Sequence, residues 1–127
     1  MHWSDKYVDL PYIPETGDCA ALAERVARES FGITVGLPVS HATTLRSMTA
    51  QILELQDDYA ERIDKPFDGC PALFVGRGHT CHIGVMCWLA NEWWVIHADQ
   101  SFGRVIRQRL REMTRVHFRL EGYYKWK

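Results

Sequence analysis

Cys81-His82-Ile83-Gly84-Val85-Met86-Cys87-Trp88-Leu89 and Glu92-Trp93-Trp94-Val95-Ile96-His97-Ala98 are two runs rich in Val, Ile and Trp, separated by Ala90-Asn91. Branched and aromatic side chains suit a pleated, half-buried surface, and a two-residue link is the tightest join between antiparallel strands. The stretch therefore reads as a β-hairpin. Counting back from the turn pairs Leu89 with Glu92, Gly84 with His97 and His82 with Asp99. Paired residues share a face, and so do residues two apart on one strand. His82, Gly84, His97 and Asp99 thus collect on one patch, and Gly84 leaves room there for a close approach such as a helix end.

The flanks extend the β pattern. Ala72-Leu73-Phe74-Val75 is a short buried strand, and Gly76-Arg77-Gly78-His79 is a turn. Arg104 to Leu110 and Arg115 to Leu120 read as further strands, or as a strand and a turn, and Gly122 to Trp126 reads as a last strand. Upstream the period changes. Residues 1–17 contain Pro11 and Pro14 and read as an extended arm. Asp18 to Phe31 has helical spacing of Leu22, Ala23, Val26 and Ala27, with Gly32 as its stop. A second helix is expected over Ser40 to Arg62, from the steps of three and four between Leu45, Met48, Ile52, Leu55 and Tyr59. Asp64-Lys65-Pro66-Phe67-Asp68-Gly69 breaks it. Helices first and an antiparallel meander after make an α+β domain spanning residues 1–127.

Thr16-Gly17-Asp18-Cys19-Ala20-Ala21-Leu22 carries the second chemical signal. Asp is a strong N-cap, so Cys19 sits at the positive end of a helix dipole, where the thiolate is favoured. A cysteine nucleophile needs a histidine to take its proton and return it to the leaving group, and a second polar group to hold that histidine. Such a thiolate–imidazolium pair raises the imidazole above its free value and lowers the thiol.

The chain has 127 residues and a formal net charge of -1, which gives no electrostatic case for nucleic acid or an anionic membrane as partner. No apolar run is long enough to span a bilayer. No apolar stretch follows Met1-His2-Trp3-Ser4-Asp5-Lys6, so no signal peptide is expected and folding in a cytoplasm is. The four cysteines, Cys19, Cys70, Cys81 and Cys87, are then expected as thiols. Cys70, His79, Cys81, His82 and Cys87 fall close together but lack the paired short spacings of zinc modules, so no metal or other cofactor is expected.

The order of these motifs resembles the NlpC/P60 family of cysteine peptidases: Gly17-Asp18-Cys19 at a helix start, His82-Ile83-Gly84-Val85 on one strand, and Val95-Ile96-His97-Ala98 on the next. The likeness is greatest to members carried by tailed phages, through Gly103 to Leu110 and the closing Glu121-Gly122-Tyr123-Tyr124. The resemblance implies a papain-like α+β fold, Cys19 as nucleophile, His82 as general base and acid, and His97 as the group orienting His82. It implies an oxyanion hole that includes the Cys19 backbone N–H, Tyr12 lining a substrate groove, and Asp18 binding a substrate amine. It further implies hydrolysis of peptidoglycan stem peptides, other phage tail proteins as partners, synthesis in the host cytoplasm and residence in a virion tail. The alternatives are a structural tail-tip or tail-assembly component on the same scaffold with little or no catalysis, and an acyltransferase. Three departures stand out. Ala20 and Ala21 replace the family's Ser and Gly after the cysteine, Pro66-Phe67-Asp68-Gly69-Cys70 replaces Pro-x-x-Gly-Asp, and the His82 to His97 interval is a few residues longer.

Overall fold

The computed structural model describes residues 2–13, 18–35, 58–76 and 78–127. Helix α1 spans Cys19–Phe31, and both of its ends follow from local chemistry. The Asp18 carboxylate accepts the Ala21 N–H at 2.9 Å, and Gly32 closes the helix in the left-handed region at φ 68°. Leu22, Ala23, Val26 and Ala27 are buried, while Arg25, Arg28 and Glu29 face water. Among the described residues no helix is long and apolar enough to cross a membrane.

The described strands form one antiparallel sheet: β1 (Ala60–Ile63), β2 (Pro71–Gly76), β3 (His79–Leu89), β4 (Glu92–Asp99), β5 (Arg104–Arg109) and β6 (Arg119–Trp126). Their spatial order is β1-β6-β2-β3-β4-β5. Strands β2 to β5 form the expected meander, and the protein is α+β. The hairpin register runs from Leu89↔Glu92 to Val85↔Ile96, as the count from the turn requires. Ala90 and Asn91 both take positive φ, 53° and 60°, the backbone of a type I′ turn.

Of the two readings left for the segment before the last strand, the one without a separate strand holds: Leu110–Val116 is a 3-10 helix that buries Met113 and ends at His117 in the left-handed region. Three expectations are corrected. Strand β6 does not continue the meander beside β5 but lies between β1 and β2. The outer edge of β5 is already occupied by the N-terminal arm. There the Asp9 N–H donates to the Val105 carbonyl at 2.9 Å, the Val105 N–H to Leu10 at 2.8 Å, and the Tyr12 N–H to Gly103 at 3.0 Å.

That arm is not extended throughout, since Trp3–Tyr7 is a 3-10 helix closed by a reciprocal cap between His2 and Asp5. Positions 40–57 of the expected second helix lie outside the described residues, and its last residues, Ala60 to Arg62, are strand and pair with Trp126 to Tyr124. The Arg62 guanidinium binds the Glu121 carboxylate and carbonyl, and lies 6.0 Å from the Tyr124 ring centroid. Pairing between residues some sixty positions apart outweighs the local helical spacing there.

The sheet is covered on both faces. Helix α1 packs Leu22, Ala23 and Val26 onto Leu73, Ile83, Val85, Ile96 and Ala98. The opposite face carries Ala72, Phe74, Met86 and Val95, packed with Met113 of the 3-10 helix.

The turn gives the first prediction. Ala90 holds a left-handed backbone with no side-chain hydrogen bond to favour it, a conformation that costs roughly 1–2 kcal/mol for most L-residues. Replacing Ala90-Asn91 by Asn-Gly should raise the unfolding free energy by about 1 kcal/mol in urea denaturation, with an unchanged m-value. A loss of stability would mean that the turn is not type I′.

Candidate active site

Strand alternation carries His82 and His97 to the same face of the hairpin, and there the two rings meet. His82 Nε2 lies 2.8 Å from His97 Nδ1, with the rings nearly perpendicular at 85°. His97 is fully buried and His82 is 4% exposed, so the bond is sealed from water. Phe118 stacks on His82 at 4.2 Å between centroids and 11° between planes, and Phe74 flanks it at 6.3 Å. On the far side His97 Nε2 lies 3.0 Å from Gln108 Oε1. The His82 ring meets His97 through Nε2, which leaves Nδ1 as the ring atom available to a further partner.

Burial dominates the electrostatics. It pushes His82 well below the usual imidazole value, and the neighbouring His97 pushes it the same way. His97 is also lowered, by burial first, with Gln108 and the charge of Asp99 partly offsetting it. Both rings are therefore neutral at pH 7. This reverses the sequence expectation of an imidazolium, because the enclosure by Phe74 and Phe118 penalises the charged form.

The other site candidates lie elsewhere. Cys19 is buried at the first position of α1, after the capping Asp18. It belongs to the apolar layer of α1 with Ile83, Val85 and Ile96, whereas His82 and His97 lie on the face of Phe74 and Val95. The structure brings the two histidines together and sets the cysteine in the adjoining layer. Gly84 likewise does not receive a helix end. A Cβ there would meet Val95 Cγ1 at 2.5 Å, Phe74 at 3.3 Å and His97 Cβ at 3.5 Å, so this glycine lets the strands close around His97.

Tyr12 is held beside β5 by its backbone, and its hydroxyl is pushed up to about 12 by burial and then by the charges of Cys19, Asp18 and Asp99. It therefore remains a neutral phenol near Cys19. Asp99 is buried, and its Oδ1 accepts the Ser101 N–H at 2.8 Å, tightening the turn into β5.

Cys70 and Cys87 are buried thiols pushed up to about 11 and about 12 by desolvation, which keeps both protonated at neutral pH. They sit in opposite layers of the sheet, Cys87 under α1 and Cys70 beside Phe74, so they do not converge on a metal. The side chains of His79 and Cys81 lie outside the described residues. Among the described residues no group of three His, Cys, Asp or Glu side chains is placed to hold a metal ion.

Two members of this site were missed in the sequence. Gln108 was legible in principle, because β5 pairs Val95 with Gln108 and so puts a polar side chain on the histidine face. Phe118 was not, because it follows a 3-10 helix that has no sequence period of its own. No family model, curated protein or solved structure matches the chain. The resemblance to NlpC/P60 peptidases therefore rests on the motifs themselves.

The neutral rings make a pH prediction. In the unfolded chain both imidazoles titrate near 6.5, above their folded values, so the unfolded state takes up more protons in acid. The stability they contribute is full above about pH 6.5 and is lost as pH falls toward the folded values. Unfolding free energy should drop by up to about 1.4 kcal/mol per pH unit for each ring over that window. Urea denaturation from pH 7.5 to 5, with His82→Gln and His97→Gln as controls, measures it. Equal slopes in wild type and both variants would mean that the rings are not buried neutral.

Proposed function

We propose that the protein is a cysteine peptidase or amidase of NlpC/P60 type, hydrolysing peptidoglycan stem-peptide bonds as a component of a phage tail. The observation that supports this most is the sealed His82–His97 bond. Burying polar rings costs free energy that an apolar pair would not, and a scaffold alone gains nothing from it. On this reading Cys19 Sγ gives its proton to His82 Nδ1 and attacks the peptide carbonyl carbon. The tetrahedral oxyanion is met by the Cys19 backbone N–H at the helix start. His82 then returns the proton to the leaving amine, and water hydrolyses the thioester. His97 holds His82 through Nε2, Tyr12 presents a hydroxyl beside Cys19, and Asp18 offers a carboxylate to a substrate amine.

One observation favours a second reading, a structural tail component on the same papain-like scaffold. Cys19 packs in the apolar cluster of α1, whereas Phe74 and Val95 beside the histidines belong to the other cluster. The two readings differ in what Cys19 does. As a hydrolase, purified muropeptides treated with the protein should yield shortened stem peptides by mass spectrometry, and Cys19→Ala should yield none.

His82→Ala should reduce turnover by about 10²–10⁴-fold, the usual worth of a positioned general base. His97→Ala should cost less, and His97→Gln should recover part of the rate. Iodoacetamide at neutral pH should label Cys19 ahead of Cys70 and Cys87. Intact muropeptides together with ordinary, His82-independent labelling of Cys19 would leave the structural reading as the better one.

A further inference from the structure

We infer that Gln108 is a positioning residue that fixes which nitrogen of His82 is free of hydrogen. The chain of contacts is short: Gln108 Oε1 to His97 Nε2 at 3.0 Å, part-buried, and His97 Nδ1 to His82 Nε2 at 2.8 Å, buried. A carboxamide oxygen only accepts, so His97 must carry its hydrogen on Nε2. A neutral imidazole has one N–H, which leaves His97 Nδ1 as a lone-pair acceptor. The contact with His82 then requires His82 to donate through Nε2, and the lone pair of His82 falls on Nδ1.

Both rings are neutral, because burial lowers each of them, so neither can satisfy its contact by holding two hydrogens. Register puts Gln108 in place: β5 pairs Ile106 with His97, and Gln108 stands two residues along on the same face. Turning the carboxamide over would present an NH₂ to His97 and reverse every hydrogen in the chain, leaving His82 with an N–H at Nδ1. A ring in that state cannot accept a thiol proton. The orientation of one glutamine side chain, with no direct contact to His82, thus selects the basic form of the candidate base. The functional weight of this assignment rests on the hydrolase reading, but the tautomers themselves do not.

Long-range proton–nitrogen correlation spectra of the histidine-labelled protein at pH 7.5 test the assignment directly. The wild type should show Nε2 protonated and Nδ1 bare on both His82 and His97. Gln108→Glu keeps an acceptor oxygen and should preserve both tautomers. Gln108→Met has a similar length and no acceptor, and should leave a mixture in both rings.

A protonated Nδ1 on His82 in the wild type would overturn the assignment, as would wild-type tautomers kept intact in Gln108→Met. Turnover separates this result from the hydrolase reading. If both hold, Gln108→Met lowers kcat by roughly 10–100-fold with KM unchanged, and Gln108→Glu restores most of it. Wild-type spectra as expected in a protein that cleaves no muropeptide would support the tautomer assignment and sink the hydrolase reading alone.

Discussion

Two neutral imidazoles can share a hydrogen bond only if one offers an N–H and the other a lone pair, and the histidine face is built around that requirement. The bond at 2.8 Å is enclosed by aromatic rings, so water cannot substitute for either partner. Desolvation keeps both rings uncharged, which would otherwise leave one hydrogen too many for the geometry. Gly84 is small because a Cβ would strike Val95 and crowd His97. The 3-10 helix before β6 delivers Phe118 to the stacking position. Each of these features is ordinary alone. Together they hold a proton on a defined atom inside an apolar layer.

Local signals were the legible ones. Asp18 and Gly32 name the ends of α1 because capping is a matter of a few neighbouring residues. The hairpin register follows from a two-residue link, since the turn leaves no freedom in how the strands pair. From that register the meeting of His82 and His97 could be counted out in advance. The layer opposite could not, because a face shared by two histidines says nothing about which side of the sheet a helix will cover. Helix α1 packs on the branched side chains of Ile83, Val85 and Ile96.

What stayed hidden depended on distant partners. Ala60–Ile63 becomes an edge strand because β6 pairs with it, although its own residues continue a helical spacing. Strand β6 lies beside β2 because the arm holds the outer edge of β5. Neither fact is written within ten residues of where it acts. The resemblance drawn from motifs concerns the short segments that caps and turns govern, and the α+β class follows from the same segments.

The arm also bears on the order in which the molecule can be completed. Trp3 Nε1 binds Asp68 at 2.9 Å, and Arg107 Nη1 reaches Ser4 Oγ at 2.7 Å and Asp5 at 2.6 Å. These contacts join the first residues of the chain to positions more than sixty and more than a hundred residues further on. A nascent chain can form α1 before Asp68 has left the ribosome, and the hairpin before Arg107 has. The arm must wait for β5, and Tyr12, which the arm carries to the side of Cys19, waits with it. Such pairings raise the contact order of the fold and place the closing of this corner late in assembly. The ground around the candidate nucleophile is then completed only once β5 is in place.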